Sequence, residues 1–162
     1  MNELRIEARR LCKNYGSLVA VDDLSFEVGA GEVLGFLGPN GAGKSTTMKM
    51  LTGFLAPSSG TAVINGHDIV ADSLAARRCI GYLPEGAPSY GEMTARAFLE
   101  FVARARGFDG NRVLRAAGAA IERLNLDGVV EQSIETLSKG FKRRVGLAQS
   151  IIHDPQVLIL DE

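Results

Sequence analysis

The sequence lacks several compositional features that would point to one class of function. The formal net charge is −1 over 162 residues, so no excess of basic residues points to nucleic acid or to an anionic membrane. The two cysteines, Cys12 and Cys79, lie far apart and form no metal-spaced pair, which predicts reduced, mostly buried thiols. No apolar run approaches the roughly 18 to 20 residues that a membrane-spanning helix needs.

The composition is that of a globular protein with one domain of ordinary size. Hydrophobic residues make up 46% of the chain and charged residues 23%, which excludes a disordered tail. The order of patterns predicts one α/β domain with an embedded helical part. The predicted elements are strands over 4–11, 18–28, 33–37 and 61–64, helices over 44–54, 94–106 and 111–124 (the last capped by Asn111), a helix from Ser138, and a strand over 156–160.

A glycine-rich segment follows the apolar run Val33–Leu37, which is predicted to be a strand buried on both faces. The segment, Gly38–Ser45, matches the phosphate-loop pattern G-x-x-x-x-G-K-[ST]. Glycines let the backbone wrap closely around phosphate oxygens, and the following helix N-terminus attracts anions. Lys44 is predicted to reach the β- and γ-phosphates and Ser45 to hold Mg²⁺. The alternative is a glycine-rich turn that matches by chance.

The run Val157–Glu162 places two carboxylates directly after four apolar residues. It predicts a buried strand that delivers acids to a phosphate site. In a P-loop ATPase, Asp161 would be the Mg²⁺-holding carboxylate, and Glu162 would be the general base that orients the attacking water. The alternative is an ordinary core strand that ends in solvated acids.

The segment Leu137–Phe141, of sequence LSKGF, completes a recognisable set of motifs. Together with the phosphate loop and the acidic strand end, in this order and spacing, it resembles the ATP-binding subunit of an ABC transporter over the whole chain. The segment Gly81–Glu85 and the lysine at position 139 are similar to bacterial exporter-type subunits. The resemblance implies an α/β fold with a P-loop NTPase core sheet, an N-terminal antiparallel β subdomain and an inserted helical subdomain.

The resemblance also implies three parts of one ATP-binding domain: 1–85, 86–137 and 138–162. After the Walker B strand, at 157–162, the domain is expected to be incomplete, and the chain is expected to be a fragment with little ATP hydrolysis alone. A central strand and a switch histidine would follow in the family, so neither His67 nor His153 is expected to serve as that histidine.

The resemblance implies ATP and Mg²⁺ as cofactors and assigns residues to them. Lys44 and Glu162 would be catalytic, and Mg²⁺ would be held by Ser45, Asp161 and Glu85, although Glu85 could also be a simple loop carboxylate. Ser138 would cap its helix and, with Gly140, face an ATP held by a second subunit. The remaining nucleotide-binding residues are Tyr15, which would stack on adenine unless it is only a turn tyrosine, and Gly38, Pro39, Asn40, Gly41, Ala42, Gly43, Lys44, Ser45 and Thr46.

The implied partners are a membrane permease, contacted near 85–98, and a second ATPase subunit in a head-to-tail dimer, with no nucleic acid. The chain would then be cytoplasmic, held on the inner face of the cell membrane through the permease. The expected function is to power substrate export by ATP hydrolysis. Two alternatives stay open, a soluble ABC-type ATPase of DNA maintenance and a non-catalytic remnant.

Overall fold

The structure is a computed structural model that describes residues 3–86 and 90–161. It divides into two compact units, Met1–Ile80 together with Asp161, and Gly81–Leu160. The division of the sequence into three parts stays a prediction. The elements are β1 Leu4–Tyr15, β2 Leu18–Gly29, α1 Lys44–Leu51, β3 Ser59–Ile64, β4 His67–Asp68, α2 Ser73–Arg78, β5 Ile80–Leu83, α3 Ala95–Ala105, α4 Gly110–Arg123, α5 Lys139–Ile151 and β6 Val157–Leu160, with short 3₁₀ helices at Asp127–Val129 and Ile134–Thr136.

The first unit contains an antiparallel sheet with the strand order β2-β1-β3-β4. The predicted N-terminal antiparallel β subdomain is therefore confirmed. Leu11 and Ile64 are buried completely. Asn65 and Gly66 join β3 to β4 with φ of 48° and 84°, left-handed values that a two-residue hairpin turn requires. In α1, Met50 and Leu51 are buried.

The predicted buried strand at Val33–Leu37 is wrong. Residues 32–39 belong to no strand, and the exposed fractions of Val33 and Leu37 are 98% and 96%. An extended apolar segment becomes a strand only when neighbouring strands pair with its backbone groups. In the part of the chain that the structure describes, neither sheet includes this segment.

Helices α3, α4 and α5 of the second unit share one hydrophobic core. Phe98, Leu99, Val113, Ile121 and Val145 are among its buried members. The helices predicted over 94–106, over 111–124 and from Ser138 are therefore confirmed.

The caps of these helices match the sequence prediction only in part. Thr94 caps α3 by accepting a hydrogen bond from Ala97 N. The predicted cap at Asn111 is wrong, because α4 begins at Gly110 and its N-cap residue is Asp109. Asp109 has the extended backbone, φ −132° and ψ 165°, that an N-cap position adopts, whereas Asn111 already lies inside the helix.

The second unit also contains a two-stranded sheet of β5 and β6. Val157 and Ile159 are buried, whereas Leu158 and Leu160 are 44% and 49% exposed. The prediction of a fully buried strand is therefore wrong for one face, because successive strand side chains point to opposite faces and only one face is covered here. Over the described ranges, no helix is long and apolar enough to cross a membrane.

Candidate functional site

The glycine-rich loop leads directly into α1, and Gly43 is the N-cap residue of that helix. Gly41 and Gly43 both have left-handed backbones, with φ of 82° and 84°. A Cβ at position 43 would lie 2.4 Å from the carbonyl oxygen of Ala20, whereas a Cβ at position 41 would have no described heavy atom within 4 Å apart from those of its chain neighbours. Gly43 is thus required by both backbone conformation and close packing, and Gly41 by conformation alone.

Lys44 folds back over the loop that precedes it. Its Nζ donates hydrogen bonds to the carbonyl oxygens of Gly38, at 2.6 Å, and Pro39, at 2.8 Å. The loop is further closed by Ala42 N, which donates to the Pro39 carbonyl at 3.2 Å. An ammonium group has three donors, so one N–H of Lys44 remains for a phosphate oxygen.

The hydroxyl of Ser45 donates a hydrogen bond of 3.1 Å to Oδ1 of Asp161. Asp161 groups with the first unit, and both side chains are half-buried. Adjacent oxygen ligands of an octahedral Mg²⁺ lie about 2.9 Å apart, since each Mg–O bond is about 2.1 Å. The spacing of these two oxygens therefore fits a shared Mg²⁺, and both are hard oxygen donors of the kind that this ion prefers.

The sequence predicts two further acids for this site, Glu162 and Glu85. Glu162 lies outside the described residues. Glu85 lies in the second unit with an exposed side chain, and its role in Mg²⁺ binding stays a prediction. Within residues 3–86 and 90–161, no three His, Cys, Asp or Glu side chains come together as a metal site.

Tyr15 is the last residue of β1 and pairs with Leu18, the first residue of β2. Its ring is half exposed, and the ammonium of Lys13 lies 5.4 Å from the ring centroid. The sequence placed Tyr15 in the turn itself, whereas the structure ends the strand on it. An exposed ring is compatible with base stacking, and this role stays a prediction.

Ser138 and Gly140 lie at the N-terminus of α5 in the second unit. The Ser138 hydroxyl accepts a hydrogen bond from Phe141 N at 3.4 Å, which confirms the predicted N-cap. Outside the adjacent residues and the backbone of α5, the nearest described heavy atom to a Cβ at position 140 would be Ser138 Oγ, at 3.9 Å. Among the residues that the structure describes, packing from outside the backbone of α5 gives no reason for glycine at this position.

The basic residues of the same helix, Lys142, Arg143 and Arg144, are exposed, which is typical of a solvated helix face. Elsewhere, His67 lies 2.9 Å from a carboxylate oxygen of Asp72 and takes no part in the loop. Cys12 and Cys79 are free thiols and only half-buried, so the prediction that they are mostly buried holds only in part.

Sequence reasoning missed one residue at this site. The Thr47 hydroxyl donates to the carbonyl oxygen of Gly43 at 2.9 Å. Its position four residues after the loop's last glycine was the available signal, because a helical threonine can bond the carbonyl of residue i−4.

The comparison with known protein families decides where this combination of loop, acidic strand end and capped helix belongs. The family model described as ABC transporter matches residues 21–162. The chain belongs to this family. The expected α/β fold is that of the family's solved ATP-binding subunits. One, described as the ATP binding subunit of an ABC transporter, superposes with a TM-score of 0.85 and is 30% identical, covering 97% of this chain and 65% of that one.

The curated relatives include exporter-type ABC ATP-binding proteins. A probable multidrug ABC transporter ATP-binding protein, YbhF of Escherichia coli, is 39% identical over 99% of this chain and 28% of its own length. The Nod factor export ATP-binding protein I of Paraburkholderia xenovorans is 38% identical over all of this chain and 53% of its own. This ABC family chain thus spans about half of the length of one relative and less than a third of the other.

Proposed function

We propose that this chain binds ATP with Mg²⁺ through the loop Gly38–Ser45 and Asp161. The observation that carries the proposal is the 3.1 Å hydrogen bond between Ser45 and Asp161, which joins the phosphate loop to the acidic strand end. The free N-terminus of α1 and the ammonium of Lys44 supply positive potential for the phosphates. Bound Mg²⁺ would supply electrostatic stabilisation of charge on the phosphates, and Ser45 and Asp161 would hold it.

The whole protein, in this proposal, is an ATPase subunit that powers export through a membrane permease from the cytoplasmic face. The names of the relatives support an export role. In the second unit, Tyr90 is 60% and Phe101 43% exposed, with ring centroids 5.5 Å apart. This aromatic surface overlaps the segment 85–98 proposed to contact the permease, and exposed aromatic residues are typical of interfaces.

A second ATPase subunit is the other proposed partner. The capped N-terminus of α5 is a positive helix end, and Gly140 leaves it open to close approach by a ligand. These features support a role for Ser138 and Gly140 toward an ATP held by another subunit. The alternative of DNA maintenance has no such support, since the exporter names of the relatives and the net charge of −1 both argue against it.

A nucleotide titration of the 162-residue chain tests the proposal. A fluorescent ATP analogue should bind in the presence of Mg²⁺ and be displaced by unlabelled ATP. Lys44→Ala should weaken binding at least about tenfold, because a charge-assisted phosphate contact is lost. The control is Lys49→Ala, a change to an exposed lysine of the same helix, which should bind as the parent chain does. The proposal would be refuted if the parent chain, Lys44→Ala and Lys49→Ala bound ATP with equal affinity, or if the parent chain did not bind ATP.

A further inference from the structure

Thr47 is one of three buried polar residues in the described chain, with 2% of its surface exposed. Both its backbone N–H, at 2.8 Å, and its hydroxyl, at 2.9 Å, donate to the carbonyl oxygen of Gly43. The Gly43 carbonyl therefore accepts two hydrogen bonds from one residue.

The other side of Gly43 is held by β2. The Cα of Gly43 lies so close to the backbone of Ala20 that a Cβ would be 2.4 Å from the Ala20 carbonyl oxygen and 3.1 Å from a Val21 methyl group. Gly43 is thus fixed by a strand on one side and by Thr47 on the other. Interiors this tightly packed leave little room for local rotation.

The two bonds have a direct consequence for the next backbone amide. A trans peptide is planar, so the Gly43 C=O and the Lys44 N–H point in opposite directions. Because Thr47 holds the carbonyl along the helix, the Lys44 N–H is directed back toward the loop. That N–H belongs to the group of helix N-terminal donors that bind anions.

We propose that Thr47 is a positioning residue for nucleotide binding, which acts by fixing the Gly43–Lys44 peptide and so aiming the Lys44 N–H at a phosphate. The inference rests on the proposed function. Thr47 itself does not touch the nucleotide in this account. A hydroxyl at position 47 is needed, and the γ-methyl group is not.

Thr52 provides a matched control at the other end of α1. It is 3% exposed, and its hydroxyl donates to the carbonyl oxygen of Met48 at 2.9 Å, with a longer contact of 3.2 Å to that of Lys49. The bond type and the burial are those of Thr47, but the carbonyl lies at the far end of the helix from the loop. A merely structural role predicts the same effects for Thr47→Val and Thr52→Val.

The experiment measures the ATP dissociation constant with Mg²⁺ and the thermal midpoint for the parent chain, Thr47→Val, Thr47→Ser and Thr52→Val. Both valine variants should lower the thermal midpoint similarly. Thr47→Val should weaken ATP binding roughly three- to tenfold, the range of one net hydrogen bond. Thr47→Ser and Thr52→Val should stay within about twofold of the parent, since each keeps the Gly43 hydrogen bond.

Parent-like affinity in Thr47→Val, or equal losses in the two valine variants, would overturn the inference while leaving ATP binding intact. No binding by the parent would instead remove the proposed function. If Thr47→Val does not fold, Thr47→Ala and Thr52→Ala take the place of the valine pair. If Thr47→Ser loses as much ATP affinity as the apolar variants at position 47, the hydroxyl is not the group responsible, which would also contradict the inference.

Discussion

The hydroxyl of Ser45 lies 3.1 Å from the carboxylate of Asp161, although 116 positions separate the two residues in the chain. Ser45 lies in the first turn of α1, after the glycine-rich loop, and Asp161 follows the short strand β6. Neither side chain alone is a Mg²⁺ site. Their meeting places two oxygens at the spacing of neighbouring Mg²⁺ ligands, and this spacing leads to the first prediction.

Weakening or removing either oxygen ligand should make nucleotide binding less sensitive to Mg²⁺. In Ser45→Ala and Asp161→Asn, the gain in ATP affinity on adding Mg²⁺ should fall by about tenfold relative to the parent chain, because one ion ligand is weakened or lost. ATP titrations with Mg²⁺ and with a chelator measure this gain. Ser17→Ala, a change in the exposed turn after β1, is the control and should keep the full gain. A full Mg²⁺ response in Asp161→Asn would contradict the prediction.

The two left-handed glycines of the loop should differ in their tolerance of alanine. Gly41→Ala should cost about 1–2 kcal/mol of unfolding free energy, the cost of a left-handed backbone with a Cβ. Gly43→Ala should cost more, because its Cβ would also lie 2.4 Å from the Ala20 carbonyl oxygen. Urea unfolding of both variants measures the difference. Equal losses would show that α1 can shift away from β2 without cost.

The exposed ring of Tyr15 should contribute to nucleotide affinity by stacking. Tyr15→Ala should weaken ATP binding by about 1–3 kcal/mol, the range for one base on one aromatic ring. Tyr15→Phe keeps the ring and should bind within a few tenths of a kcal/mol of the parent. The dissociation constants of the two variants, together with their thermal midpoints, test this. A similar loss in both variants would assign the effect to the phenol hydroxyl instead.

Asp68 should make the stability of the first unit depend on acidic pH. Its carboxylate accepts hydrogen bonds from Ala71 N, Val70 N and the Thr61 hydroxyl, at 2.8, 2.8 and 2.9 Å. The Ala71 N–H bond is the largest cause that holds the pKa of Asp68 below its ordinary value of 3.8. Because the folded pKa is depressed, the stabilisation is fully present above the ordinary value and is lost as pH falls through the folded pKa.

The corresponding measurement is urea unfolding of the parent chain and Asp68→Asn across this range. The variant should be about 1–2 kcal/mol less stable at neutral pH, as expected for lost charge-assisted bonds, and the gap should close below pH 3.8. Asp22→Asn, at an exposed position in β2, controls for the change of net charge. A gap that is the same at acidic and neutral pH would rule out the ionised carboxylate as its source.

Local features of this chain could be predicted from the sequence with good accuracy. Ser138 caps its helix as expected, since its hydroxyl bonds a backbone N–H only three residues away. The turn at Asn65-Gly66 likewise depends on neighbouring residues alone. The cap of α4 was assigned to Asn111 instead of Asp109, because two residues of suitable type lie within one turn and backbone geometry alone selects between them.

Strand formation could not be predicted in the same way. Val33–Leu37 has the composition of a buried strand, yet it is exposed and unpaired within the described residues. Hydrophobic composition indicates which segments can form strands. Whether they do so depends on strand pairing with backbone groups far away in the chain. Leu158 and Leu160 illustrate a milder case, since their hydrophobicity does not reveal that one face of β6 is uncovered.

The sequence by itself determined the family and the chemistry of the loop, because glycine, lysine and serine at fixed spacing carry phosphate-binding properties in their own backbone and side chains. Only the tertiary structure decided that Gly43 packs closely against Ala20 and that Ser45 lies within hydrogen-bond distance of Asp161. The physical reason is separation along the chain. The motif involves neighbouring residues, whereas close packing and the approach of distant oxygens depend on how strands and helices fold onto one another.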